Sequence, residues 1–179
     1  MLVHIICAKW IPSPCPSGTF QGTKAGDCFQ FNNKKAPWGG DGGALGNCGE
    51  YCPDDNVKQK DYTSCQASLA SIQHAFENTL VTKELKKLTN NTSQKVWLGG
   101  YVEEDCNHET GQCECNWNWS DSSDFYYQNW DTNGWDGLMD TSKAVAIDSE
   151  KGTWFAINET TTLAYLCKIV IGNYTDTMF

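Results

Sequence analysis

The sequence predicts a single α+β domain stabilised by disulfides, and three observations carry that prediction. The segment Lys95-Val96-Trp97-Leu98-Gly99-Gly100 sets a β-branched residue, an indole and a leucine ahead of paired glycines, which is the composition of a short buried strand ending where another backbone comes close. In the segment Gln73 to Leu88, Phe76, Leu80, Val81, Leu85 and Leu88 recur at helical spacing. Lys83, Lys86 and Lys87 load its last turns with positive charge, which the helix dipole favours there. Ten cysteines in 179 residues point to an oxidising compartment, where cysteines pair.

In chain order, Met1 to Ala8 is apolar but has no basic residue before it, so residues 1–14 read as a leader or incomplete signal segment ending at Pro12-Ser13-Pro14. Residues 15–170 read as the domain and 171–179 as a tail. From Cys15 to Phe31, turn residues lie between aromatic ends, the pattern of a disulfide-tied hairpin. Asn32 to Gly49 is rich in Gly, Asn and Lys, so a helix there is expected to be short or frayed. Asn90-Asn91-Thr92 stops the Gln73 to Leu88 helix. His74 and Glu77 near its start have no second histidine or nucleophile at a useful spacing and read as a solvated helix face. Cys106, His108, Cys113 and Cys115 lack the knuckle spacing of a zinc site. They read as a bridged surface insertion in which Cys106 joins Cys113 or Cys115. A tryptophan-rich stretch follows, with Trp117, Trp119, Trp130 and Trp135, then Gly152-Thr153-Trp154-Phe155 and a terminal Ala164-Tyr165-Leu166-Cys167-Lys168.

A hydrophobic share of 40% with 12% aromatics belongs to a folded chain. The formal net charge of −9 disfavours nucleic acid and anionic lipid, whose phosphates need clustered cations. No apolar run is long enough for membrane insertion. No Gly-x-Ser-x-Gly elbow, His-Glu-x-x-His or phosphate-binding loop is present, so the chain is not read as an enzyme. Acceptor triplets for N-glycans begin at Asn90, Asn91, Asn118, Asn158 and Asn173 and favour secretion. Asn90, Asn91, Asn158 and Asn173 are the expected sites. Asn118 lies between Trp117 and Trp119, in a stretch expected to be partly buried.

The landmarks Leu69-Ala70-Ser71-Ile72, Trp97-Leu98-Gly99-Gly100 and Tyr165-Leu166-Cys167, in this order, resemble the C-type lectin-like domain family from about Cys15 to about Ile169. The resemblance implies two helices, small antiparallel sheets and a long irregular loop region. It implies the amino-terminal hairpin of the family's longer form, with Cys15 paired to Cys28, and a first helix whose Ala44 and Cys48 face the core. It also implies a long-range bridge to Cys167. If Cys48 makes that bridge, Cys52 and Cys65 close the inserted loop on themselves; if Cys65 makes it, Cys48 and Cys52 pair with each other or with Cys7. Ala44 and Cys48 share a helix face, which favours the first solution.

Relatives that bind monosaccharides use calcium, a hard cation that takes several oxygen ligands. In the register of the resemblance, their proline-centred ligand triplet falls on Gly134-Trp135-Asp136, a further glutamate on Ser142, and the tryptophan-asparagine-aspartate motif on Trp154-Phe155-Ala156. A second family disulfide falls on Ala144 and Glu159 and is lost whole. No cofactor is therefore expected, with Asp131, Asp136 and Asp140 as the alternative set for a weak calcium ion. The expectation is a secreted, extracellular recognition module for a glycan or extracellular protein ligand, lacking the usual calcium-dependent monosaccharide site. Its contacts come from the loop face between about Tyr101 and Asp140. Trp135, Asp136, Tyr126, Tyr127 and Trp130 are the candidate contact residues, with Trp135 and one or both tyrosines as the surface aromatics. The alternatives are a calcium-dependent carbohydrate-binding lectin and a structural extracellular component with no discrete site.

Overall fold

The structure, a computed structural model, describes residues 15–52, 64–106, 113–135, 137 and 140–172. The predicted leader, Cys7, the side chains of Cys106 and Cys113, Asp136, and Asn173 with the rest of the tail beyond 172 lie outside the described residues.

The amino-terminal hairpin forms from β1 (Phe20–Gln21) and β2 (Asp27–Ala36), with Phe20 opposite Phe29. Cys15 is bridged to Cys28 across its base. Helix α1 (Ala44–Gly49) is short, and Ala44 and Cys48 are its buried residues. Strand β3 (Ser64–Leu69) leads to helix α2 (Ala75–Leu88), then β4 (Lys95–Cys106), β5 (Cys113–Trp119), β6 (Lys143–Asp148), β7 (Trp154–Asn158) and β8 (Leu163–Gly172). All eight strands join one sheet, ordered β1-β2-β8-β4-β6-β7, with β3 added on β8 and β5 on β4. The pairing of β4 with β8 is parallel; the other named strand pairs are antiparallel.

Alternation along β8 assigns the two layers. Ala164 and Leu166 pack with Val81 and Leu85 of α2, whereas Tyr165 and Cys167 pack with Ala44 and Cys48 of α1. The helices therefore cover opposite faces. Cys48 is bridged to Cys167, closing a sequence separation of 119, and Cys52 is bridged to Cys65. Cys115 is half-buried and unbridged.

Helix α2 buries Val81 and Leu85 as the spacing predicts, but not the ends of that apolar stripe. Phe76 is 68% exposed and Leu88 51%, while Glu77 and Asn78 are buried. His74 is the N-cap, its Nδ1 accepting from the Glu77 N–H. Glu77 is therefore not part of a solvated face. Its carboxylate accepts from the Gln73 N–H and from Lys168 Nζ at 3.3 Å, and Asp27 lies 3.5 Å from the same ammonium. A buried ion pair is polar in sequence, so periodicity of apolar residues places it on the wrong side of the helix. Asn90 and Asn91 end the helix in left-handed conformations, at φ 53° and 58°.

Candidate ligand-binding face

Between β5 and β6 the chain runs from residue 120 to 142 with no strand longer than a single bridge in its described part, and a few backbone contacts fix it. The Asp131 N–H donates to Trp154 O, the Trp154 N–H to Asn129 O, and the Ala156 N–H to Gly134 O at 2.7 Å, so the middle of the loop lies along β7. The approach is close enough to need glycine: a Cβ on Gly134 would sit 2.1 Å from Trp154 O. At the entry, Asp121 accepts from Ser71 and Ser123. At the exit, the Ser142 N–H donates to Asp140 Oδ1.

Aromatic rings fill the space under this loop. Trp117 lies 5.0 Å from Trp130 and 6.3 Å edge-on from Trp135, and Trp130 lies 5.6 Å from Trp135. Phe125 packs 4.6 Å from Trp119, and Tyr127 meets Trp154 edge-on at 5.5 Å. The indole N–H groups of Trp117 and Trp119 make no hydrogen bond among the described residues, so ring packing is what holds these two side chains.

This packing divides the aromatic set. Tyr126 is 86% exposed, the largest exposure among the exposed large hydrophobics. Trp135, read from sequence as a surface ring, is half-buried between Trp117 and Trp130; its partner rings come from β5 and from the loop's own turn, a juxtaposition that no local pattern encodes. Trp130 is half-buried, with Nε1 donating to Gln128. Tyr127 is half-buried, and burial raises its phenol pKa above the usual value.

The positions at which the resemblance places calcium ligands are short of oxygen. Gly134, Trp135, Phe155 and Ala156 bring no side-chain oxygen, and Ser142 brings one hydroxyl; Asp136 lies outside the described residues. The Phe155 ring instead carries the Lys95 ammonium 3.3 Å from its centroid, and Lys95 also donates to Asp148 at 2.9 Å. Asp131 is occupied within the loop: Oδ1 accepts from the Asn133 N–H and Oδ2 from Thr153 Oγ1. Those two bonds, the first above all, hold its pKa below the ordinary carboxylate value, aided by the charges of Lys151 and Lys95. Among the described residues no three His, Cys, Asp or Glu side chains gather as a metal cluster.

Asn90 and Asn91 are exposed, and Asn158 is exposed with Oδ1 accepting from Thr160. Asn118 is half-buried, and its amide donates to Glu103. Sequence reading missed Asn78 and Asn129, whose amides both donate to Gly152 O, at 3.0 and 2.8 Å. Asn78 lies 74 and Asn129 23 residues from Gly152 in the chain, so no local pattern pointed to them.

No family profile and no curated protein matches the sequence. Solved structures do match the fold. CEL-IV superposes with a TM-score of 0.66 at 18% identity, covering 90% of this chain and 97% of that one. The C-type lectin CEL-I from Cucumaria echinata gives a TM-score of 0.61 at 18% identity, over 88% and 98% of the two chains. A calcium-independent type II antifreeze protein gives 0.56 at 18% identity, over 88% and 95%.

Proposed function

From its C-type lectin-like fold, we propose that this chain is a secreted recognition module, not an enzyme, that binds a glycan or protein ligand through the loop face between about Tyr101 and Asp140 without a calcium-dependent monosaccharide site. The observation that carries the reading is Tyr126, 86% exposed on a loop whose other rings are packed together. An exposed phenol on a fixed support offers a sugar face or a protein pocket a large contact at small entropic cost.

Calcium independence is supported by the donor set. At the described positions where sugar-binding relatives place ligands, the chain has one hydroxyl, and the Asp131 carboxylate is used to hold the loop. That set does not fit an ion needing several oxygens. The calcium-independent type II antifreeze protein of the same fold supports the same reading. Secretion is supported by the three disulfides among the described residues. No helix among the described residues is long and apolar enough to cross a membrane. The test is a glycan array probed with the purified protein, alongside capture of extracellular proteins, each with and without a chelator. Binding that persists in chelator supports the proposal, and binding abolished by chelator alone replaces it with the calcium-dependent lectin.

A further inference from the structure

Apart from the Tyr126 face, a cleft of about 470 Å³ lies between α2, the loop at Tyr127 and Asn129, and the turn joining β6 to β7. Helical spacing aligns Thr79, Lys83 and Lys86 along one wall, Lys151 comes from the turn, and no carboxylate lines the cleft. The chain has 13 basic residues against 22 acidic ones, so three lysines around one opening are a local reversal of the molecule's charge. Most other described lysines near carboxylates are neutralised: Lys87 by Glu84, Lys95 by Asp148, Lys168 by Asp27 and Glu77. Lys86 reaches Glu150 at 3.6 Å, a half-exposed and therefore weak pairing. Lys83 and Lys151 form no ion pair among the described residues.

The cleft is built rather than incidental. The single carbonyl of Gly152 accepts from Asn78 on α2 and Asn129 on the loop, tying all three walls at one atom. Gly152 has φ 74°, and a Cβ there would lie 2.4 Å from Thr82 Oγ1, so the turn sits against the helix as closely as glycine permits. Tyr127 contributes a half-buried ring braced on Trp154, and its hydroxyl makes no hydrogen bond among the described residues.

We propose that this cleft binds an acidic saccharide, with a sulfate or carboxylate between Lys83 and Lys151, Lys86 adding charge, and the sugar ring against Tyr127. The chemistry fits each part: ammonium groups take anionic oxygens, a flat ring takes a sugar face, and Thr79 and Asn129 present hydrogen-bonding groups for hydroxyls. An extended polyanion such as nucleic acid fits less well, because the molecule around the cleft carries a net charge of −9. The cleft shares Tyr127 and Asn129 with the loop that carries Tyr126, but it holds its anion on Lys83 and Lys151, so either reading can fail alone.

The test is calorimetric titration of the intact protein with N-acetyllactosamine sulfated on its glucosamine, with sialyllactose, with the neutral disaccharide, with inorganic sulfate, and with phosphatidylserine vesicles. At least one acidic saccharide is expected to bind, and the Lys83→Ala/Lys151→Ala double variant to weaken it by about tenfold or more. Raising salt from about 20 to about 200 mM is expected to reduce it. Both lysines are exposed, so the double variant should keep the wild-type melting temperature, which the same samples report. Four results each overturn the proposal: no acidic saccharide binding, equal binding of the neutral disaccharide, undiminished binding by the double variant, or binding only of inorganic sulfate or vesicles.

Discussion

The indole Nε1 of Trp154 donates to Asn78 Oδ1 at 2.9 Å, with both residues buried, and so pins the strand beneath the candidate binding loop to helix α2. Asn78 also donates to Gly152 O. Asn78→Ala therefore leaves the buried Trp154 N–H without its acceptor and Gly152 O with Asn129 alone, at about 1–3 kcal/mol in unfolding free energy. Urea denaturation measures it. A loss below about 1 kcal/mol would mean that water reaches Trp154 and that the two layers are not tied there.

The buried charge cluster gives an asymmetric prediction. Lys168 faces two carboxylates, Glu77 and Asp27, and all three side chains are at most 8% exposed. Lys168→Met leaves two buried anions unopposed and is expected to cost about 3–5 kcal/mol. Glu77→Gln leaves one cation facing one anion but has a single oxygen for the two donors, the Gln73 N–H and Lys168, so it should cost less than Lys168→Met, about 1–3 kcal/mol. Denaturant curves of both variants decide; equal losses would show that the cluster acts through packing and not through charge.

The same cluster shows where the sequence was legible and where it was not. The start of the Trp97 strand, the α2 segment and the short α1 among glycines could be read because each is encoded within a few turns or residues of chain, but β4 does not end at Gly99-Gly100 and runs on to Cys106. Glu77 could not, since the cation that permits its burial lies 91 residues later. The loop shows the same limit. Gly134 and Trp135 were visible as residues replacing a ligand triplet, but the inward packing of Trp135 depends on a register with β7 that has no local signal. Lys151 meets Lys83 and Lys86 only because the Gly152 turn reaches α2.

Asp148 ties acid stability to the edge of this region. Burial alone would raise its pKa, but the Lys95 ammonium at 2.9 Å, the N–H groups of Lys151 and Glu150, and the Ser93 hydroxyl outweigh burial and hold it well below the usual carboxylate range. A folded-state pKa below the unfolded value of about 3.9 means that the unfolded chain binds the proton first. The contribution is thus complete above about pH 5 and lost as pH falls through and below the unfolded value. Unfolding free energies of wild type and Asp148→Asn, measured from pH 6 downward, should converge under acid. A constant gap across that range would contradict the linkage.

Within the candidate ligand-binding face, the last prediction turns on two loop aromatics with different surroundings. Tyr126 is 86% exposed, so Tyr126→Ala removes contact area that only a ligand can cover, and stability should stay within about 0.5 kcal/mol of wild type. Ligand affinity should fall by about tenfold or more, as expected when a central aromatic anchor is truncated. Trp135 packs on Trp117 and Trp130, so Trp135→Ala opens a gap beneath the loop and should cost about 2 kcal/mol of stability, less than a fully buried tryptophan because part of the ring is already in water. Its effect on binding then follows from loop disorder and should be partly rescued by Trp135→Phe, whereas Tyr126→Ala should be rescued by Tyr126→Trp with no change in melting temperature. Chelator should alter neither result, because Asp131 spends its oxygens on Asn133 and Thr153. If Tyr126→Ala binds as wild type while Trp135→Ala loses binding at unchanged stability, the contact lies on Trp135 and the loop must turn that ring outward to meet its ligand.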